Sequence, residues 1–102
     1  VYIDNFQNDI SPPAGLITNP VSGQQVSGIV NFTVSAQDDQ GINNVEFIIN
    51  GSGIFIDTDY PFQYAWDTTV EETGSEHPLS ATVSDNANHT IFLQPVIVYI
   101  SN

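Results

Sequence analysis

Carboxylates and imidazoles are the side chains of this sequence that could perform acid–base or metal chemistry near neutral pH. The 102 residues include 12 Asp and Glu, 2 His, and no Cys, Lys or Arg. The lack of Cys excludes a thiolate nucleophile, a disulfide and a Cys-based zinc site. A Ser-His-Asp triad needs three side chains to converge, but we expect His77 and His89 in loops at opposite ends of the fold. The sequence therefore predicts that the protein is not an enzyme.

The carboxylates are more informative as metal ligands. Successive loops of a β-sandwich alternate between its two ends, so three acidic loops should meet at the end where the chain enters. Ca²⁺ takes about six to eight oxygens from carboxylates, amides and carbonyls. Asp also favours turns that hold no metal, and no EF-hand spacing occurs, so ordinary turn formation is the alternative. The candidate Ca²⁺ ligands are Asp38, Asp39, Asp57, Asp59 and Asp85.

The charge balance excludes some partners. The formal net charge is −12, with no basic residue except the two His. Nucleic-acid binding depends on Lys and Arg that neutralise phosphates, so we expect no nucleic-acid partner. The same negative charge disfavours anionic membranes, and no apolar stretch is long enough to insert into a bilayer.

The elements that must position these groups are predicted by alternation. Apolar and polar residues alternate with period two, and clusters of Gly, Pro, Asn and Asp separate the alternating segments, which is typical of strands joined by turns. Asn50-Gly51 favours a hairpin turn. Pro95 cannot donate to a ladder, so the last strand should begin at an edge or a bulge. Trp66 falls on an inward face. The pattern predicts an all-β, seven-stranded antiparallel sandwich with strands at 16–18, 30–36, 45–50, 54–56, 62–66, 79–83 and 95–100.

The two ends of the chain resemble each other. VYIDN at 1–5 nearly repeats as VYISN at 98–102. We interpret 1–14 as a leading segment, either the tail of a preceding repeat or an exchanged strand, and 15–102 as the domain. An uncovered last strand would invite strand addition from a neighbour. The predicted contact residues are Val1, Tyr2, Ile3, Ile97 and Tyr99.

Six ordered segments resemble bacterial immunoglobulin-like repeats: NPVSGQQVSG at 19–28, VSAQDDQGI at 34–42, VEFIING at 45–51, PFQYAWDTT at 61–69, GSEHPL at 74–79 and SDNAN at 84–88. The last departs from the family's Asp-Ala-Ala-Gly-Asn turn at the Gly position. The resemblance covers about residues 16 to 102. It implies an immunoglobulin-like or fibronectin-III-like sandwich, used as a repeat in secreted polysaccharide-degrading enzymes, adhesins and other surface proteins. The family has no shared catalytic site.

The resulting hypothesis is a non-catalytic structural repeat or spacer of an extracellular or cell-surface protein. Neighbouring immunoglobulin-like domains or further copies would contact it end to end, and Ca²⁺ would stiffen the junctions. Two alternatives stay open. One is a subunit of a self-assembled extracellular filament that uses its terminal strands. The other is a carbohydrate-binding module attached to a secreted hydrolase, with polysaccharide as its partner.

Overall fold

Nine β-strands and one short 3-10 turn form residues 12–102, the part of the chain that this computed structural model describes. The 3-10 turn spans Thr68–Val70. No helix among these residues is long and apolar enough to cross a membrane. Strands β1 to β9 span, in order, Ala14–Asn19, Gln25–Val26, Ile29–Gln37, Ile42–Ile49, Ser52–Asp57, Phe62–Asp67, Glu76–Asp85, Thr90–Phe92 and Val96–Ile100.

The strands form two sheets that face each other. The smaller sheet has the order β1-β3-β6, and the larger has the order β2-β9-β7-β4-β5, with β8 also paired to β7. Every pair is antiparallel except β2 with β9. The chain passes from the larger sheet to the smaller between β5 and β6. These two edge strands lie on the same side of the sandwich, where the rings of Phe55 and Tyr64 are 5.5 Å apart.

The all-β sandwich and the seven predicted strands are confirmed, and two strands are added. The sequence missed β2 and β8, which have two and three residues and are too short to show a period-two pattern. Both β8 and β9 pair with β7: Phe92 lies opposite Thr82 and Val96 opposite Leu79. Pro95 lies between them, as expected for a residue that cannot donate to the ladder. The parallel β2–β9 pair corrects the prediction of a wholly antiparallel sandwich.

The last strand, β9, does not end its sheet, so the condition for strand addition at its edge is not met at Tyr99 and Ile100. Ile97 and Tyr99 face outward on β9 and are partly exposed, but β9 lies between β7 and β2. Because β2 pairs with Tyr99 and Ile100, it occupies the position that an added strand would take. The role of Ile97 and Tyr99 as contact residues stays a prediction. β1 begins at Ala14, and most of the leading segment lies outside the described residues, as do the contact residues Val1, Tyr2 and Ile3.

The core consists of the inward-facing residues of both sheets. Trp66 is 5% exposed, so its prediction as a core residue is confirmed. Phe32 and Phe47 pack edge to face, with ring centroids 4.8 Å apart. Burial of one such side chain contributes about 1.5–3 kcal/mol. The largest apolar side chains that are fully buried are Phe32, Val45, Phe47, Leu79, Val83 and Val98.

The loops gather at two ends, which we call the proximal and distal poles. The proximal pole lies where β1 begins, because Ala14 pairs with Gln37 and Ile42 pairs with Asp85. It holds loops 38–41, 58–61 and 86–89. The distal pole holds loops 20–24, 50–51 and 68–75 together with the end of β9. These poles hold nearly all the charge.

Candidate functional site

The described carboxylates lie at the two poles, as the alternation of loops predicted. Asp38, Asp39, Asp57, Asp59 and Asp85 lie at the proximal pole. The distal pole carries the second group, and Glu46 in the middle of β4 is the one described carboxylate between the poles. The broad outer faces of the sandwich are therefore almost free of charge. The distal group consists of Asp67, Glu71, Glu72 and Glu76.

Asp85 is the buried anion of the proximal pole. Its Oδ1 accepts hydrogen bonds from the backbone N–H groups of Ala87 at 2.9 Å and His89 at 2.8 Å. Its Oδ2 accepts from Nδ1 of the His89 ring at 3.0 Å. Burial raises the pKa of Asp85, but these hydrogen bonds outweigh burial and hold the pKa below its ordinary value. The carboxylate thus closes the loop between β7 and β8 with every partner inside five residues of sequence.

Other proximal carboxylates also hold turns. Asp57 accepts from the backbone N–H groups of Asp59 and Gln63, each at 3.1 Å, and so ties the end of β5 to the start of β6. Asp38 accepts from the N–H of Gln40 at 2.8 Å through Oδ2. Its Oδ1 is buried and accepts no hydrogen bond from the part of the chain that the structure describes. In these contacts Asp side chains accept hydrogen bonds from nearby backbone N–H groups and so stabilise turns. Turn formation of this kind is the alternative to a metal site in the sequence analysis.

The five candidate Ca²⁺ ligands share a pole but do not form one coordination sphere. Within residues 12–102, no group of three or more His, Asp and Glu side chains could hold a metal ion. Two of the five, Asp57 and Asp85, already use both carboxylate oxygens as acceptors. Ca²⁺ needs about six to eight oxygens. Calcium binding at this pole stays a prediction.

The distal pole is built around His77. His77 is the second residue of strand β7. Its ring is buried and packs edge to face on Trp66, with centroids 5.7 Å apart. Its Nδ1 lies 2.9 Å from Oδ1 of Asn50, and its Nε2 lies 2.9 Å from Oγ of Ser75. Glu71 Oε1 is 3.7 Å from Nε2. The ring thus joins the 50–51 turn to the 68–75 loop, at the opposite pole from His89, as predicted.

Thr68 and Asn102 fasten the same pole to β9. The Thr68 hydroxyl donates to the carbonyl of Gly28 at 2.6 Å. The Asn102 amide donates to the carbonyl of Thr68 at 2.6 Å and accepts from the N–H of Gly28 at 3.1 Å. Asp67 caps the 3-10 turn, and its pKa is lowered by hydrogen bonds from the Thr69 hydroxyl and then from the Thr69 N–H. The hydrogen bonds of Thr68 and Asn102 therefore join segments of the distal pole that lie far apart in the sequence.

The exposed aromatic side chains do not form a flat platform for sugars. Trp66 is buried, and Tyr64 packs against Phe47 and Phe55. Tyr60 is 84% exposed but lies at the proximal pole, where it packs edge to face on Phe62. Tyr99 lies near the other end, on β9. Of the residues described, no two exposed Trp or Tyr rings share a face.

Sequence reasoning missed the gap between β5 and β6, which we call the β5–β6 seam. Ile54, Phe55 and Ile56 are 39%, 42% and 57% exposed. Near the distal pole the seam widens into a groove of about 330 Å³. A run of three apolar residues, where a half-buried strand should alternate, is the signal that could have revealed it. The groove is lined by Ile49, Asn50, Ile54, Tyr64, Trp66, Asp67, Val70 and Glu71.

Comparison with known proteins places this architecture. A family model described as bacterial Ig domain matches residues 13–91. The solved fibronectin(III)-like modules of Clostridium thermocellum CbhA are similar, with 25% identity, a TM-score of 0.65, and coverage of 87% of this chain and 45% of that chain. The X-ray structure of the endo-beta-1,4-mannanase from Thermotoga petrophila has 15% identity, a TM-score of 0.68, and coverage of 96% of this chain and 22% of that chain.

The second likeness shows the fold alone because its identity is low. This chain spans less than half the length of either solved structure. Among curated protein sequences, no match was found.

Proposed function

Because the chain belongs to the bacterial Ig domain family, we propose that it is a non-catalytic structural module, a spacer between other parts of a secreted or cell-surface protein. The observation that carries this proposal is the use of its buried polar side chains. Asp85, His77 and Thr68 are each buried and each hold a loop through hydrogen bonds. A catalytic group would instead have a poised atom that faces a substrate cleft.

The solved relatives support a modular role. The similar part of CbhA is described as fibronectin(III)-like modules, and the similar part of the mannanase is a minor portion of its chain. A fold of this kind that accompanies other domains suits a spacer, because its two poles lie at opposite ends of the strands. The fold alone does not decide the function, because one fold hosts many functions.

The carbohydrate-binding alternative receives less support from the surface. Sugar platforms use exposed aromatic rings, yet Trp66 is buried and Tyr60 and Tyr99 lie at different ends. The filament alternative would use either residues 1–5, which lie outside the described residues, or the last strand, part of which already pairs with β2. Neither alternative has an observation among the described residues that favours it over the spacer.

Small-angle X-ray scattering of two copies fused in tandem would test the spacer directly. The proximal pole of one copy follows the distal pole of the other, and both poles are negatively charged. Because the charges repel, we expect the two copies to stay extended, end to end, at low salt, with about twice the maximum dimension of one copy. A compact side-by-side pair at low salt would contradict the proposal.

Retention on insoluble polysaccharide separates the spacer from the binding module. We expect the chain to remain in the supernatant with microcrystalline cellulose and with insoluble mannan. Retention on either polymer that is lost in Tyr60→Ala or Tyr99→Ala, but kept in Phe92→Ala, would identify a sugar-binding surface instead. Phe92 is a suitable control because it is also highly exposed.

A further inference from the structure

Within residues 12–102, no strand pairs with the outer edge of β5 or of β6, the two strands that border the seam. β5 ends the larger sheet and β6 ends the smaller sheet. Among the described residues, one hydrogen bond crosses between these strands, from the N–H of Gln63 to Oδ2 of Asp57 at 3.1 Å. It closes the seam at the proximal end. Further along, a groove lies between the two strands, and the outward backbone groups of β5 can pair with an added strand.

The floor of the seam is apolar. The ring of Phe55 packs on Tyr64 at 5.5 Å and on Phe47 at 6.3 Å, so its inner face joins the core while its outer part stays exposed. Ile54 continues this surface into the groove beside Val70, which is itself exposed. The other strands with an unpaired edge, β1, β2 and the three-residue β8, differ from β5. β2 has two residues, and β1 carries Thr18, whose hydroxyl bonds to that of Thr33.

Both ends of the seam are acidic. Asp57 and Asp59 lie at its closed, proximal end, and Asp67 and Glu71 line the groove at its distal end. Glu46 of β4 extends over β5 on the outer face of the larger sheet, where the absence of a side chain at Gly53 leaves room for its carboxylate. The surface therefore has an apolar centre flanked by negative charge, and the chain has no Lys or Arg to balance it.

We propose that the β5–β6 seam binds an extended peptide segment that pairs with β5 as an added strand. The segment carries apolar side chains at alternate positions, which enter the groove, and Lys or Arg near both ends, which meet the two acidic ends. β5 has six residues, and a strand rises about 3.3 Å per residue, so a segment of about seven residues spans the seam. A second copy of this chain is a poorer occupant, because it has no Lys or Arg to meet the two acidic ends.

Titration with synthetic peptides tests this binding mode. The probe is acetyl-Lys-Val-Thr-Val-Thr-Val-Lys-amide, and its matched control has Glu at both ends. We expect backbone amide NMR signals of β5 and β6 to shift with the Lys-ended peptide and not with the Glu-ended one, and the shifts to weaken as salt is raised. Equal binding of the two peptides, or shifts confined to β1 or β2, would overturn the proposal.

Paired variants separate the seam from the general negative charge. Glu71→Gln removes a charge that lines the groove, whereas Glu72→Gln removes an exposed charge from the same pole outside the groove. We expect Glu71→Gln to lower the affinity for the Lys-ended peptide by about two- to fivefold, and Glu72→Gln to have little effect on it. Equal effects of the two variants would refute a defined site, as would dimerisation of the free protein through β5 in sedimentation experiments. Melting curves verify that both variants fold.

A second pair tests the apolar contact. Ile54→Ala shortens a side chain of the groove, and Val21→Ala shortens an exposed side chain in the loop between β1 and β2. We expect Ile54→Ala to lower the affinity for the Lys-ended peptide several-fold and Val21→Ala to leave that affinity unchanged. If Ile54→Ala has no effect on affinity, the peptide is held by charge alone and strand addition at the seam is wrong.

Discussion

The two poles of this sandwich are both acidic, but they are held together in different ways. At the proximal pole, the Asp85 carboxylate accepts three hydrogen bonds, all from Ala87 and His89. At the distal pole, amide and imidazole side chains join residues far apart in sequence: Asn102 bonds to Gly28, and His77 to Asn50. At the proximal pole a carboxylate organises its own turn, and the adjacent Asn86 joins that turn to the carbonyl groups of Gln40 and Gly41. At the distal pole the long-range contacts are made without a buried carboxylate.

This difference shows how a chain without Lys or Arg can satisfy its polar groups. A buried carboxylate normally needs a cation, yet here backbone N–H groups and one imidazole take that place. The distal pole avoids a buried carboxylate and uses hydroxyl, amide and imidazole groups instead. Most of the remaining carboxylates lie on the surfaces of the two poles, where ions from the solvent can screen their charge.

The largest effect should come from removing the proximal anion. Asp85→Ala leaves the N–H groups of Ala87 and His89 without their acceptor in a buried site, so we expect the melting temperature to fall by on the order of ten degrees. Asp39→Ala is the matched control, because Asp39 is exposed at the same pole, and it should shift melting little. If both substitutions have the same effect in thermal unfolding, the local-turn description of this pole is wrong.

A smaller effect should follow at the distal pole. Thr68→Val keeps the shape of a fully buried side chain but loses the hydroxyl that donates to Gly28. We expect the free energy of unfolding to fall by about 1–2 kcal/mol in urea titrations, because the Gly28 carbonyl still accepts from the Thr68 N–H.

Thr18→Val serves as the control for Thr68→Val. The Thr18 hydroxyl also forms a hydrogen bond, to Thr33, but on an exposed face where water can replace it. We therefore expect this variant to be nearly neutral. A loss for Thr18→Val as large as that for Thr68→Val would show that burial does not decide the difference.

Acid should weaken the proximal pole selectively. The folded-state pKa of Asp85 lies below its ordinary value of 3.8, so its stabilising effect is present above that value and is lost as the pH falls through the lower folded-state pKa. We expect the stability difference between the parent and Asp85→Asn to be constant near neutral pH and to shrink below about pH 4 in urea titrations. A difference that does not change with pH would mean that the carboxylate's charge has no role.

The shared position of the acidic loops was within reach of sequence reasoning, and the long-range contacts at either pole were not. Alternation gave the strands and hence the shared position of Asp38, Asp57 and Asp85, because loop position follows from strand order. It could not show that Asn102 reaches Gly28, since nothing local marks a contact across the whole domain.

The edges of the sheets were equally out of reach. The short β2 has too little pattern to reveal that it pairs with β9, so the sequence left open whether the last strand is covered. The outcome at β5 was the reverse. Its apolar run predicts a strand but does not show that the strand ends a sheet, because that depends on the order in which all the strands pack.

The smallest effect should come from divalent cations. Bound Ca²⁺ would require several proximal carboxylates to converge, but Asp57 and Asp85 already accept hydrogen bonds from their own turns. We therefore expect millimolar Ca²⁺ and Mg²⁺ to raise the melting temperature equally, by about a few degrees, through screening of the net negative charge. A rise of on the order of ten degrees with Ca²⁺ alone would instead indicate a selective site. If Asp38→Asn abolished that rise and Glu72→Gln did not, the site would lie at the proximal pole and the two poles would differ in metal binding as well.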